Sequence, residues 1–269
     1  MLKTTLCTLG ILAASSSFAH DLMILPAKSI ITQSPETIAV DVTATHGVYR
    51  YDKPVSADGI RVFGPDGKNI RDIGTVVQSA TRTSFDLDVE TNGTYKILYS
   101  SSRSGYMTSY TIGARDTKKR ARLSKSELKG NIPDTAKNVQ TTKYERHGMT
   151  FITAKMPTTD VMKPTNKGFE IIPVTHPADY INGEEITFKA LLDGSVAPGV
   201  EIAIKSEAGI YNGNQQPITL TTDKDGMASV TLDDAGRYSS FFSYEMDSKD
   251  PEADKQSYGV FYTFEVVYE

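Results

Sequence analysis

The sequence predicts an all-β fold with two Ig-like or transthyretin-like β-sandwich modules joined by an irregular basic segment. Alternating apolar and polar residues, typical of half-buried strands, recur in both halves of the 269-residue chain. Pro-Asp-Gly, Asn-Gly and Asp-Gly turns separate these alternating runs. A Gly turn followed by a Tyr occurs once in each half, at 91–95 and at 234–238. This repetition indicates two modules of about 100 residues each.

Residues 1–19 are predicted to be a secretory signal peptide. Lys3 supplies the positive start, residues 6–14 form an apolar run without acidic residues, and Ser17 and Ala19 are small. The run is shorter than the roughly 20 residues that a membrane-spanning helix needs. We therefore expect cleavage between Ala19 and His20 and a periplasmic or secreted mature protein.

The N-terminal module is predicted over residues 20–115. Residues 37–47 alternate as a strand does, and residues 59–70 contain a strand, a Pro-Asp-Gly turn and a second strand start. Residues 83–102 give two further strands about an Asn-Gly turn.

Residues 116–168 are predicted to form the connecting segment. The stretch 115–138 is basic, and 124–128 has the start signal of one short helix. Two interpretations are open for this stretch. It is either a docking arm for an acidic partner or a lipid surface, or a solvated linker.

The C-terminal module is predicted over residues 169–269. Residues 183–209 indicate strand, turn and strand, and 217–245 indicate a strand, an Asp-Gly hairpin, a strand, a turn and a strand. The turn at 223–226 resembles half of a calcium loop, but it lacks the downstream acidic residue that such a loop requires. It is therefore interpreted as a turn between strands.

Composition excludes several classes of site. The single cysteine, Cys7, lies in the predicted signal peptide, so disulfides, thiolate metal sites and cysteine nucleophiles are excluded from the mature chain. Net charge is −4, and no basic stripe suggests nucleic acid as a partner. The sequence contains no Gly-rich phosphate loop, HExxH or GxSxG motif.

The four histidines are the candidate metal ligands: His20, His46, His147 and His176. After cleavage, His20 would offer an α-amine and an imidazole from one residue, and His46 would add a second imidazole. Nitrogen ligands of this kind suit nickel, cobalt, copper and zinc ions. Because consecutive strands usually neighbour one another, the strand starting near residue 21 should lie beside the strand that ends at His46.

Each histidine also has a structural interpretation. His20 is otherwise a frayed chain end, and His46 and His147 are otherwise surface residues at strand boundaries. His176 lies between a strand and a turn opened by Pro177. A capping or hydrogen-bonding role for His176 at a junction between modules is as compatible with the sequence as metal ligation.

The mature chain resembles the periplasmic "domain of unknown function 4198" family, which is associated with nickel and cobalt uptake. The matching stretches are AHDLMILP at 19–26, TFITAKMPT at 150–158, and 168–202, with 220–238 and 262–266 continuing the match. The resemblance implies an exported two-module β protein linked to metal uptake. It also implies His20 and the Thr175-His176-Pro177 turn as candidate ligands, whereas His46 rests on the strand pattern alone.

Three functions therefore stay open at this point. The leading hypothesis is a periplasmic carrier or uptake accessory for a divalent transition metal, acting with a membrane metal transporter or an outer-membrane receptor. The alternative is a metal-free β-sandwich module that binds a glycan, a protein or an outer-membrane receptor. A third is a copper enzyme built on a histidine brace, for which no other active-site signature is present.

Overall fold

The computed structural model describes residues 21–100, 105–213 and 216–269. His20, the first predicted ligand, lies outside these residues. Within them the chain forms twenty strands, in order β1 (Asp21–Pro26), β2 (Ile30–Ile31), β3 (Glu36–Thr45), β4 (Lys53–Pro54), β5 (Ile60–Phe63), β6 (Asn69–Ile70), β7 (Val77–Gln78), β8 (Thr83–Val89), β9 (Gly93–Ser100), β10 (Gly105–Ile112), β11 (Thr117–Ala121), β12 (Lys137–Ala154), β13 (Phe169–Pro173), β14 (Glu185–Leu192), β15 (Ser195–Val196), β16 (Glu201–Ser206), β17 (Ile218–Thr221), β18 (Met227–Thr231), β19 (Gly236–Asp247) and β20 (Lys255–Val266).

Helical structure is minor in this part of the chain. One α-helix, α1 (Gly209–Asn212), is a single turn long. Short 3₁₀ turns occur at Ala57–Gly59, Lys125–Glu127, Asp160–Met162 and Pro177–Asp179. Across the described ranges, no helix has the length and apolar character needed to cross a membrane.

The strands of the described residues form three sheets. The first has the order β1-β3-β8-β7, with β4 beside β3. The second, central sheet has the order β17-β16-β19-β20-β12-β9-β5-β6; β2 and β10 also pair with β12, and β11 pairs with β10. The third has the order β13-β14-β15, with β18 on β14. The predicted all-β sandwich fold is confirmed.

Two hydrophobic cores lie between these sheets, and the central sheet contributes to both. Met149 and Phe151 of β12 belong to the core that β13, β14 and β16 line. Ile152 and Ala154, further along the same strand, belong to the core that β1, β3 and β8 line. Because neighbouring side chains of a strand point to opposite faces, β12 joins the two cores through its two sides.

The connection between the modules differs from the irregular segment predicted over 116–168. Residues 137–154 form β12, which pairs with β9, β10 and β20 at the centre of the sheet. Residues 148–154 are buried on both faces. A strand was expected after His147, and the structure extends it back to Lys137, where β12 pairs with β10 and β20.

The repeated Gly–Tyr turn has the same hydrogen bond in both modules. The hydroxyl of Tyr95 donates to the carbonyl oxygen of Thr91 at 3.0 Å, and that of Tyr238 donates to the carbonyl of Asp234 at 2.7 Å. Both rings are buried. Each Tyr thus closes the turn that precedes a strand of the central sheet. The arrangement is like the tyrosine corner of Ig-like sandwiches.

Candidate functional site

The candidate site lies where β1 begins and β3 ends. These two strands are antiparallel, with Asp21 opposite Thr45 and Pro26 opposite Val40. The expected pairing of the strand that starts at residue 21 with the strand that ends before His46 is therefore present. His46 follows Thr45 directly, so it leaves the sheet beside the first residue of β1.

The imidazole of His46 is oriented by Asp52. Its Nδ1 lies 2.6 Å from Oδ2 of Asp52, and the two side chains are 62% and 37% exposed. A carboxylate accepts a hydrogen bond, so Nδ1 carries the proton in this contact and Nε2 carries the lone pair of the neutral ring. Metal-binding histidines in proteins are commonly oriented by a carboxylate in the same way.

The loop between His46 and Asp52 is fixed to the C-terminal module by Tyr49. The hydroxyl of Tyr49 donates to the carbonyl oxygens of Tyr238 at 2.9 Å and Phe264 at 3.4 Å. Its backbone N–H donates to Sδ of Met23 in β1 at 3.1 Å. These contacts hold Tyr49 in a left-handed conformation, φ 52°, which non-glycine residues seldom adopt.

Burial raises the pKa of the Tyr49 hydroxyl far above its ordinary value, while Arg237 opposes the shift. The phenol therefore stays protonated and acts as a hydrogen-bond donor. Arg237 lies over the Tyr49 ring at 4.7 Å and is itself held by Glu207 through contacts of 2.6 and 2.7 Å. The hydrogen bond to Glu207 is the main reason that the pKa of Arg237 is raised.

A second carboxylate stands at the start of β1. Asp21 forms an ion pair with Nζ of Lys205 in β16 at 3.8 Å. The beginning of β1 is thus tied to β16, which pairs with β19, one of the two strands that hold the His46 loop. Asp21 is also the residue that follows the predicted cleavage site and His20.

His176 has a structural role in the junction between the modules. The backbone N–H of Ala178 donates to its Nδ1 at 3.0 Å, which caps the turn Pro177–Asp179. Its Nε2 lies 3.2 Å from the carbonyl oxygen of Thr158 and 3.1 Å from Oγ1 of Thr94. With Nδ1 accepting, Nε2 carries the proton, so both ring nitrogens hold protein contacts.

His147 lies in the middle of β12, opposite Val260 of β20. Burial lowers the pKa of its imidazole; Glu145 opposes this shift and Arg146 adds to it. Its side chain therefore favours the neutral form.

The structure does not join the three described histidines into one ligand set. Within residues 21–100, 105–213 and 216–269, no group of three or more His, Cys, Asp or Glu side chains is placed to hold one metal ion. Sequence reasoning missed Asp52 and Tyr49, which orient and anchor the His46 loop. The available signal was the short spacing from His46 to an acidic residue across an aromatic-rich loop, HGVYRYD.

A family model described as "Domain of unknown function (DUF4198)" matches residues 17–243. The chain belongs to the DUF4198 family. No curated protein matches it.

Three solved structures are weakly similar to the DUF4198 chain. A DUF4785 family protein from Legionella pneumophila is 9% identical with a TM-score of 0.26; the match covers 82% of this chain and 51% of that one. The DUF4198 chain thus spans about half the length of the Legionella protein. The D0–D1 domain of intimin is 12% identical with a TM-score of 0.21, covering 90% of this chain and 97% of that one. The human OSCAR ligand-binding domain is 10% identical with a TM-score of 0.19, covering 89% and 96%.

Proposed function

We propose that the mature DUF4198 chain binds a divalent transition-metal ion through His20 and His46 and acts as a periplasmic carrier or accessory in metal uptake. The observation that carries the proposal is the pairing of β1 with β3, which sets Asp21 opposite Thr45. His20 precedes the first of these residues by one peptide bond and His46 follows the second. Consecutive Cα atoms are about 3.8 Å apart, so both histidines are attached to the same end of this strand pair.

The chemistry of the donors supports a late first-row metal. An α-amine and two imidazoles are nitrogen ligands, which suit nickel, cobalt, copper and zinc better than calcium or magnesium. Asp52 fixes the tautomer in which Nε2 of His46 carries the lone pair. Asp52 therefore has the role of an orienting residue, and Asp21 is the nearest carboxylate in the chain to His20.

The rigidity of the His46 loop supports the same proposal. Tyr49 ties the loop to β1, β19 and β20 through one backbone and two hydroxyl hydrogen bonds. A ligand that is already held in place loses little conformational entropy when the ion binds. We propose that the carrier then passes its ion to a membrane metal transporter or an outer-membrane receptor.

The test is calorimetric titration of the processed protein, beginning at His20, with nickel, cobalt, copper and zinc salts. His46→Ala should weaken binding at least about tenfold, and Asp52→Asn should weaken it by roughly 10–100-fold, as for other residues that orient a ligating histidine. One extra glycine before His20 should weaken it too, because the terminal amine is displaced.

His176→Asn is the matched control, since that histidine is committed to hydrogen bonds elsewhere. It should bind the metals as the parent does. If the parent bound none of the four metals, the proposal would be overturned. The metal-free interaction module would then replace it. Equal binding by the parent, His46→Ala and the glycine-extended form would place the ion elsewhere.

A further inference from the structure

A basic two-stranded ribbon stands at one edge of the central sheet. It consists of β10, β11 and the turn between them, with Thr108 opposite Ala121 and Ile112 opposite Thr117. In the described part of the chain β11 pairs only with β10, so its outer edge is not covered by another strand. The whole of 113–120 is exposed.

The ribbon concentrates positive charge on an otherwise acidic protein. Residues 115–122, which include β11 and the residue after it, have one acidic side chain, Asp116, against five cationic ones: Arg115, Lys118, Lys119, Arg120 and Arg122. The chain as a whole has net charge −4. The carboxylate of Asp116 forms an ion pair with Lys137 of β12 at 3.8 Å. Its negative charge is therefore already balanced by a cation outside residues 115–122.

Four of these five cations have no carboxylate partner in the part of the chain that the structure describes. Among the described residues, Arg115, Lys118, Lys119 and Arg122 form no ion pair, in contrast with the lysines that pair elsewhere on the surface. Charged side chains, lysine above all, commonly protect an open strand edge against pairing with another chain. Five cations in eight residues exceed that need and point to an anionic partner.

The cations surround the exposed end of the ribbon, so a planar anionic surface that meets the ribbon end-on would contact cations from both of its faces. Lys118 lies opposite Thr111 and Lys119 lies opposite Tyr110, so neighbouring cations project from the two faces of the ribbon. Tyr110 and Ile112, near the turn, are only partly buried. Tyrosine, with an apolar ring and a polar end, is enriched where proteins meet the lipid headgroup region.

We propose that the ribbon formed by β10 and β11 docks the protein on an anionic phospholipid surface. Long, flexible cationic side chains near the turn would reach lipid phosphates, with Tyr110 at the boundary of the headgroups. Each cation held near an anionic bilayer strengthens binding roughly fivefold, and salt weakens the attraction. This proposal is independent of the metal site.

The test is co-sedimentation of the processed protein with vesicles of phosphatidylcholine, with and without phosphatidylglycerol. We expect binding only to the anionic vesicles and progressive release by sodium chloride. The variant R115Q/K118Q/K119Q/R122Q should lose at least about 100-fold in affinity, since four cations are removed. The variant K68Q/K155Q/K167Q/K224Q removes the same charge from other exposed loops and should retain most of the binding.

Binding to polyglutamate and to duplex DNA is measured as well, to distinguish a lipid partner from an acidic protein or a nucleic acid. Absence of vesicle binding, or an equal loss in both quadruple variants, would overturn the proposal. Ribbon-dependent binding to polyglutamate or DNA without vesicle binding would overturn it as well, because the partner would then be an acidic macromolecule. Release from the vesicles by inorganic phosphate at matched ionic strength would show a site for free phosphate rather than a membrane surface.

Discussion

The guanidinium of Arg237 lies 4.7 Å from the centroid of the Tyr49 ring, and through this contact β19 holds the loop that carries His46. Glu207, which directly follows β16, holds the guanidinium of Arg237 through its carboxylate. The N-terminal histidine loop is therefore positioned by residues nearly 190 positions away in the chain. A metal site at the end of β1 and β3 would depend on the packing of both modules.

Tyr49→Phe should lower the free energy of unfolding by about 1–2 kcal/mol, because the carbonyl oxygens of Tyr238 and Phe264 lose the hydroxyl that donates to them in a largely buried setting. The phenylalanine ring keeps the cation–π contact with Arg237. Urea unfolding followed by circular dichroism measures the change. Tyr211→Phe is the control, since Tyr211 is 82% exposed, and it should change stability by less than about 0.5 kcal/mol. An equal effect of the two substitutions would contradict the anchoring role.

Gly148→Ala should destabilise the contact between β12 and β1 by about 1–3 kcal/mol. A Cβ built at Gly148 meets Cδ2 of Leu22 at 2.8 Å and Cγ at 3.1 Å. Leu22 is buried and cannot move aside freely. Because the displaced strand is the one that begins at Asp21, we also expect weaker metal binding in the processed protein.

The double variant Gly148→Ala/Leu22→Ala is the matched control for this clash. Leu22→Ala alone should cost about 2–5 kcal/mol through the cavity it leaves. With that space open, the added methyl group should cost little more. Strict additivity of the two single changes in urea unfolding would show that the Cβ of residue 148 does not meet Leu22.

The strand content of this protein could be predicted from its sequence, but the strand partners could not. The Asp-Gly turn at 223–226 was correctly placed between two strands, yet β17 pairs with β16 and β18 pairs with β14. The predicted hairpin at this turn was wrong. Turn residues specify a reversal of direction, whereas the two-layer core decides whether the next strand joins the same sheet or the facing one.

The candidate site, like the fold, could be predicted only in part from the sequence. Local alternation and chain order were enough to place β1 beside the end of β3, because that pairing connects neighbouring segments. Asp52 lies six residues after His46, so its contact had a local signal that was overlooked, whereas the role of Tyr49 depends on contacts with β19 and β20 that no local pattern encodes. The hydrogen bonds of His176 to Thr94 and Thr158 are equally non-local.

His147 should make the protein less stable as pH falls below about 6.5, the ordinary pKa of histidine. Burial lowers its pKa in the folded state, so between the folded and unfolded pKa values the unfolded chain binds more protons. Folding is therefore progressively disfavoured as pH decreases through this window. His147→Gln cannot titrate, and it should lose less stability than the parent between pH 7.5 and 5 in urea unfolding. The same loss in both proteins would assign the acid sensitivity to other groups.

His176→Ala should lower the free energy of unfolding by about 1–2 kcal/mol without changing metal affinity. Alanine removes the acceptor for the backbone N–H of Ala178 and the donor to the carbonyl of Thr158. Thr94 and Thr158 still hold each other, since each backbone N–H donates to the hydroxyl of the other at 2.9 and 3.0 Å.

His176→Asn separates the two contacts of this histidine. Asparagine is a good N-cap residue, so its side-chain oxygen should restore the bond from Ala178. Its shorter side chain should not reach Thr158. We therefore expect the Asn variant to unfold at a urea concentration between those of the parent and His176→Ala. If both variants instead kept parental stability and lost metal binding, His176 would be a ligand, and its contacts with Thr94, Thr158 and Ala178 would not explain its role.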